Sequence, residues 1–272
     1  MSIVLITLIF ALALAFALGF ALGFFKQIFD VKEDPLIVQI REILPGANCG
    51  ACGFPGCDGF AAAIAEKSAD ITGCPPGGKA VAEQLAALVG GNADIVPKTA
   101  VVLCRGTKDK AHERGMYIGV KNCRAVKISA CSIKACIWAC QGFGDCIDVC
   151  KFEAIIMGDD GLPRINIDKC TGCGVCAAEC PQNIIRMIER DLKGAIVLCD
   201  NQSVIKGQVA KACKAGCIKC EICIKQCPQH CMKMENGIPT VDYSKCTNCG
   251  TCAEKCPKKV ICNIPAAKQP YA

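Results

Sequence analysis

The chain has 272 residues, a formal net charge of +6, and 27 cysteines against two histidines. About a tenth of the chain is cysteine, a fraction typical of secreted disulfide scaffolds and of metalloproteins. The scarcity of histidine argues against zinc sites of mixed cysteine and histidine type, although not against sites of four cysteines. The positive charge alone permits nucleic acid or anionic lipid as partners.

An uncharged apolar run occupies residues 3–25. As a helix it would span roughly 35 Å, enough to cross a bilayer core of about 30 Å. A signal peptide would need a basic residue before the run, a shorter core and a small-residue cleavage site. The first positive charges, Lys26, Lys32 and Arg41, follow the run instead, so the positive-inside rule places the rest of the chain in the cytoplasm. We predict a single-pass anchor in the lipid bilayer over residues 1–28.

The first cysteine group has the spacing C-x2-C-x4-C-x16-C. Glycines and a proline between its members permit a tight wrap, in which backbone amides reach cluster sulfurs. Helices are predicted over residues 59–67 and 79–88, the second ending at Gly90. Residues 29–92 are therefore expected to form a small helical domain around one [4Fe-4S] cluster, with a four-cysteine zinc site as the alternative. The predicted ligands are Cys49, Cys52, Cys57 and Cys74.

Residues 170–181 read CTGCGVCAAECP. This C-x2-C-x2-C-x3-C-P spacing is the bacterial-type ferredoxin signature, in which the fourth cysteine binds the other cluster of a pair. The signature recurs from Cys217 and from Cys246, and a stretched version begins at Cys136. Thiolates meant for one cluster need this spacing, whereas disulfides do not, so we place these segments in a reducing compartment. Because such clusters are anionic, the lysines are interpreted as balancing their charge, and no nucleic-acid partner is expected.

An internal repeat links these runs. Residues 101–104 read VVLC and residues 196–199 read IVLC, and each is followed by a ferredoxin unit. Within each unit a hairpin is predicted, over residues 154–167 and 232–243, with Asp-Gly and Asn-Gly as turn signals. The fold class is therefore α+β: a transmembrane helix, a small helical [4Fe-4S] domain and two tandem 2[4Fe-4S] ferredoxin-like modules, at residues 98–190 and 194–265.

The crossed rule assigns the remaining ligands. One cluster of the first module takes Cys136, Cys140, Cys146 and Cys180, and the other takes Cys150, Cys170, Cys173 and Cys176. In the second module the sets are Cys217, Cys220, Cys223 and Cys256, and Cys227, Cys246, Cys249 and Cys252. Trp138, between Cys136 and Cys140, is expected either to shield that cluster or to serve core packing. With the helical domain, about five [4Fe-4S] clusters are expected.

Seven cysteines remain. Cys131, Cys231 and Cys262 are interpreted as small buried apolar residues. The other four precede the two modules at corresponding places and form a candidate extra site, which would raise the count to six: Cys104, Cys123, Cys199 and Cys213.

The order of these motifs resembles the B subunit of Rnf-type complexes, the ion-translocating ferredoxin:NAD oxidoreductases of bacterial membranes. The resemblance covers nearly the whole chain, and the second ferredoxin module is an addition relative to shorter members. It implies a protein of the bacterial cytoplasmic membrane that exchanges electrons with soluble ferredoxin and passes them to membrane subunits. Flavins and the nicotinamide site belong to partner subunits in that family.

The residues support an electron-transfer role independently. The sequence lacks a dinucleotide loop after a strand, a P-loop and a catalytic acid–base pair, so no substrate-converting site is expected in this chain. The alternatives are a polyferredoxin subunit of another membrane redox complex, such as a hydrogenase or a formate-oxidising enzyme, and a redox sensor with structural clusters. A ferredoxin docking patch is hypothesised at Lys206, Lys211, Lys214 and Lys219.

Overall fold

The structure is a computed structural model that describes residues 2–28, 34–203, 205 and 207–264. Lys32 and Lys206 lie outside the described residues. Helix α1 (Ser2–Ile28) contains the apolar segment Val4–Phe25, whose mean hydropathy is 2.7 and which is not buried against the other described residues. Its length and composition are those of a membrane-spanning helix, as the sequence predicts.

A helical unit follows α1. It consists of α2 (Pro35–Ile43), α3 (Cys57–Ala65), a 3₁₀ turn (Ile71–Gly73) and α4 (Gly78–Val89). Ile40, Phe60 and Leu85, one from each α-helix, are fully or almost fully buried and form its core with Cys74. The predictions of α3 and α4 are confirmed, including the end of α4 at Gly90, whose φ of 78° is accessible to glycine at little cost.

Among the described residues, the strands form four separate two-stranded antiparallel sheets. Strand β1 (Lys98–Val102) pairs with β4 (Ile185–Glu189), β2 (Ile155–Met157) with β3 (Pro163–Ile165), β5 (Gly194–Val197) with β8 (Ile261–Ile264), and β6 (Met232–Glu235) with β7 (Ile238–Val241). The pairs β2–β3 and β6–β7 confirm both predicted hairpins. Short helices lie between the strands: α5 (Cys123–Ala130), α6 (Asp145–Asp148), α7 (Val175–Glu179), α8 (Gln208–Ala212), α9 (Ile222–Lys225) and α10 (Thr251–Glu254).

The two repeats pack against each other through their outer sheets. Val101 and Leu103, at the end of β1, share a buried apolar cluster with Ile196 and Leu198, at the end of β5. Each leucine donates its backbone N–H to a carbonyl of its own repeat, Leu103 to Ile184 and Leu198 to Val260, both at 2.7 Å. The sequence echo VVLC and IVLC thus marks two strand ends that meet at the junction of the repeats.

Candidate metal centres

The four cysteines of the helical unit converge. Burial raises the pKa of the Cys74 thiol, and repulsion from the thiolates of Cys57, Cys49 and Cys52 adds to the rise. Cys57 begins α3, and its backbone N–H donates to Asn48 Oδ1 at 2.7 Å. The asparagine thus fixes the loop of the first ligands against the helix that carries the third.

The ferredoxin runs share one local geometry. In each run the third cysteine is the second residue of a short helix, and the residue before that helix is left-handed. A left-handed residue reverses the chain within one turn, so the preceding cysteines fold back toward the helix. The four pairs are Gly144 and Cys146, Gly174 and Cys176, Glu221 and Cys223, and Gly250 and Cys252.

In the second repeat the cysteines line two cavities. The first brings together Cys217, Cys220, Cys223 and Cys256. The second brings together Cys227, Cys246, Cys249 and Cys252, with Cys231 also on its wall. Both groupings are the crossed sets that the spacing predicts.

In the first repeat one crossed set also converges. Burial raises the pKa of the Cys176 thiol to about 12, and the thiolates of Cys173, Cys170 and Cys150 add to the rise. Burial likewise raises the pKa of Cys146 to about 12, with repulsion from Cys180 and then from Cys123. Cys146 and Cys180 are therefore neighbours as predicted, and Cys123 lies beside them.

The position of Cys136 differs from the prediction. It lines a third cavity together with Cys104, Cys199 and Cys213, and Trp138 forms part of the same wall. The thiolates that repel Cys136 are those of Cys104 and Cys213. The predicted extra site thus needs a correction: the structure brings together three of its four cysteines, while Cys123 lies with Cys146.

The donor groups around these cysteines fit iron–sulfur clusters. Sulfurs accept backbone N–H groups, as Cys150 does from Ala154 and Cys199 does from Cys217, both at 3.4 Å. Crossed sets of four thiols with N–H donors to sulfur suit four-iron clusters better than tetrahedral zinc.

Lys219 supplies positive charge within the protein. Its side chain is buried, and its Nζ has no hydrogen-bond partner among the described residues. Burial lowers the pKa of Lys219, whereas the thiolates of Cys217 and Cys199 on either side raise it. A buried ammonium is costly unless an anion compensates it, and an anionic cluster beside it would do so. Its predicted place in a surface docking patch is therefore wrong, although Lys211 and Lys214 are exposed.

Comparison with known proteins agrees with these centres. Three families match: a putative Fe-S cluster domain over residues 44–76, a 4Fe-4S binding domain over residues 163–186 and a 4Fe-4S dicluster domain over residues 216–261. The B subunit of the Na⁺-translocating ferredoxin:NAD⁺ oxidoreductase complex of Acetobacterium woodii is 43% identical over 86% of this chain and 70% of its own length. The chain belongs to the B-subunit family of ion-translocating oxidoreductase complexes.

Two further members of this B-subunit family extend the relation. The B subunit of the ion-translocating oxidoreductase complex of Methanosarcina acetivorans is 40% identical over 86% of this chain and 89% of its own length. The B subunit of the proton-translocating ferredoxin:NAD⁺ oxidoreductase complex of Clostridium ljungdahlii is 38% identical over 86% of this chain and 83% of its own length. The names of the Acetobacterium and Clostridium relatives specify different ions, Na⁺ and the proton. Membership of the family therefore does not identify one translocated ion. Membership and helix α1 together indicate a membrane-associated iron–sulfur protein.

Proposed function

We propose that this B-family chain is the membrane-anchored electron-transfer component of an Rnf-type ferredoxin:NAD oxidoreductase complex. It would relay single electrons between soluble ferredoxin and the membrane subunits. Its cysteines would hold [4Fe-4S] clusters, which exchange one electron at a time, so hydride chemistry at the nicotinamide belongs to partner subunits. The names of the relatives support membership of such a complex. The cysteine groups of this chain support its role in electron transfer.

The observation that carries this proposal is the continuity of the cysteine groups. Burial raises the pKa of the Cys173 thiol, and the thiolate of Cys49, in the helical unit that follows the anchor, adds to the rise. Cys146 and Cys176 are neighbours in the first repeat. Cys199 repels Cys217 at the entrance to the second repeat. These contacts support a series of neighbouring cysteine groups that begins in the helical unit and continues into the repeats.

The organisation of the chain follows the same groups. The anchor would comprise residues 1–28, the helical [4Fe-4S] domain residues 29–92, and the two ferredoxin-like modules residues 98–190 and 194–265. At least five clusters are proposed. The positive residues that follow α1, and the need for reduced thiols, favour the cytoplasmic side of a bacterial membrane for everything after the anchor.

The test is reduction by ferredoxin. The full chain, purified anaerobically in detergent, would be mixed rapidly with reduced ferredoxin while cluster absorbance is followed. We expect reversible bleaching of all clusters. A chain that keeps its full iron content but is not reduced by ferredoxin would indicate structural clusters, as in a sensor, and would overturn the relay.

A polyferredoxin role in another membrane enzyme is the competing function. The ferredoxin runs alone permit it, whereas the helical unit at Cys49–Cys74 and the B-subunit relatives favour the Rnf-type complex. Purification of the tagged chain from its native membrane separates the two. A nickel or molybdenum enzyme among the co-purified subunits would support the polyferredoxin role.

A further inference from the structure

The cavity at the junction of the repeats resembles the two cavities that hold the crossed cysteine sets. It is lined by Cys104, Cys136, Cys199 and Cys213, as the first cavity of the second repeat is lined by Cys217, Cys220, Cys223 and Cys256. None of its four cysteines belongs to the ligand groups of the second repeat. Cavities that each present four soft thiol ligands are expected to take the same group.

The four cysteines are related by the internal repeat. Cys104 and Cys199 directly follow the leucines that end the VVLC and IVLC segments. Cys136 and Cys213 stand in corresponding places, because each precedes the first regular cysteine of its module in a C-x3-C pair, with Cys140 and with Cys217. Each repeat therefore contributes the same two positions to one cavity between them.

Backbone pairing between the repeats brings the second pair together. The N–H of His112 donates to the carbonyl of Ala212 at 3.0 Å, and the carbonyl of His112 accepts from Ala135 at 2.7 Å. His112 is thus hydrogen-bonded to both Ala135 and Ala212, the residues that directly precede Cys136 and Cys213.

The cavity wall is suited to an anionic group. The side-chain amide of Asn201 donates to Cys136 Sγ at 3.2 Å, and the backbone N–H of Gly106 donates to Cys104 Sγ at 3.4 Å. Gly106 lies at this wall, where a Cβ would come within 3.5 Å of the sulfurs of both Cys104 and Cys213. Lys134 is buried beside it, with Nζ donating to the carbonyl of Gly106 at 2.8 Å. N–H groups directed at sulfur and a buried cation stabilise cluster charge.

Cys123 can take the place of Cys136 beside Cys140, Cys146 and Cys180, which leaves Cys136 free to line the cavity between the repeats. The stretched run has Phe143 midway between Cys140 and Cys146, where a regular run has its second cysteine. The Cys123 N–H donates to the Asp145 carboxylate at 2.7 Å, and the Cys123 sulfur lies beside the backbone of Asp145, Phe143 and Gly144. In the regular run, the Cys173 sulfur lies beside the backbone of Val175, which occupies the place of Asp145. Cys123 thus fills the ligand position that Phe143 leaves open.

We propose that Cys104, Cys136, Cys199 and Cys213 ligate a further [4Fe-4S] cluster between the two repeats, and that Cys123 joins Cys140, Cys146 and Cys180 around the neighbouring one. This rests on the proposed function and completes it, because the new site lies between the ligand groups of the two modules. All but three cysteines then have a ligand role: Cys131, Cys231 and Cys262.

The test counts iron and acid-labile sulfide in the full chain, purified anaerobically, with EPR of the reduced state. Six four-iron clusters give about 24 irons per chain, and five give about 20. We expect Cys213→Ser and Cys136→Ser each to lose about four irons and the same EPR component. Cys123→Ser should lose a different component. Cys262→Ser, outside the three cavities, is the matched control and should keep the full content.

The outcomes separate this inference from the proposed function. About 20 irons in the wild-type chain, with Cys213→Ser indistinguishable from Cys262→Ser, would overturn the new site and leave the relay intact. Only a few irons in a cluster-competent preparation would overturn both. If a serine variant does not fold, the wild-type iron content still decides between five and six clusters.

Discussion

A buried lysine, Lys219, lies beside the cysteines of the second repeat. Lys219 lies close to Cys217 and Cys199, is buried, and has no hydrogen-bond partner for its Nζ in the part of the chain that the structure describes. Its sequence neighbours gave no sign of this, because a lysine between two cysteines is usually solvated. The turn of the hairpin β6–β7 packs over it, because a Cβ at Gly237 would lie 2.6 Å from the Lys219 ammonium.

Substitution of Lys219 by glutamine should lower the reduction potential of the adjacent cluster. Reduction adds a negative charge, and loss of the neighbouring positive charge removes part of its stabilisation. The shift should be tens of millivolts, at about 59 mV for each 1.4 kcal/mol of lost attraction. EPR-monitored redox titration measures it. Lys211→Gln, at an exposed lysine, is the control. Equal effects of the two variants would refute a specific role for Lys219.

Cys146 and Cys231 are both buried cysteines, but only Cys146 is expected to be a cluster ligand. Cys231 follows Cys227 by the interval at which Ala154 follows Cys150, so it occupies an apolar core position of the repeat. Cys231→Ala should therefore keep its clusters, whereas Cys146→Ser should lose about four irons. Iron and sulfide analysis distinguishes them. Iron loss in Cys231→Ala would instead make Cys231 a ligand.

At the scale of elements, the cluster loops are held by the strands. Gly172, in the loop between Cys170 and Cys173, has a φ of 73° and lies against the backbone carbonyl of Lys98 at the start of β1. The loop can pack this closely only because the residue lacks a side chain.

Gly172→Ala is expected to destabilise this repeat by roughly 1–3 kcal/mol more than Gly174→Ala. Both positions have a positive φ, but a Cβ at Gly172 would overlap the Lys98 carbonyl, whereas at Gly174 it would only touch the Met187 side chain, at 3.9 Å. Thermal unfolding and iron content report the difference. Similar melting temperatures for the two variants would contradict the close loop–strand contact.

Local signals were enough to predict some elements and not others. The hairpins were predicted because Asp160-Gly161 and Asn236-Gly237 fix their turns within a few residues. Helix α5 was not predicted. Its first backbone N–H groups, at Cys123 and Arg124, are satisfied by the Asp145 carboxylate, at 2.7 and 3.1 Å. That contact joins residues far apart in sequence, and it also positions Cys123 beside Cys146.

At the scale of the whole molecule, the crossed cysteine sets of the second repeat followed from spacing, because each regular run carries its own geometry. The grouping of Cys136 did not, since it depends on contact between two repeats. The matching C-x3-C spacings at Cys136 and Cys213 were the sequence feature that could have indicated this grouping. They do so only in combination with the contact between the VVLC and IVLC segments.

The anchor should be separable from the centres. Helix α1 is not buried against the other described residues, so removal of residues 2–28 should yield a chain that leaves the membrane fraction and keeps its iron. Expression of both forms without partner subunits, followed by membrane fractionation and iron analysis, checks this. A truncated chain that still sediments with membranes would show that another surface binds lipid.

Whether the chain is an electron relay is tested most directly by the content of iron, acid-labile sulfide and zinc in the anaerobically purified full chain, together with EPR of its reduced form. A relay predicts about 20 to 24 irons per chain, equal sulfide, no zinc, and interacting four-iron signals. Zinc in place of iron, or only a few irons without magnetic interaction, would mean that most of the cysteine runs are structural, and would contradict the account.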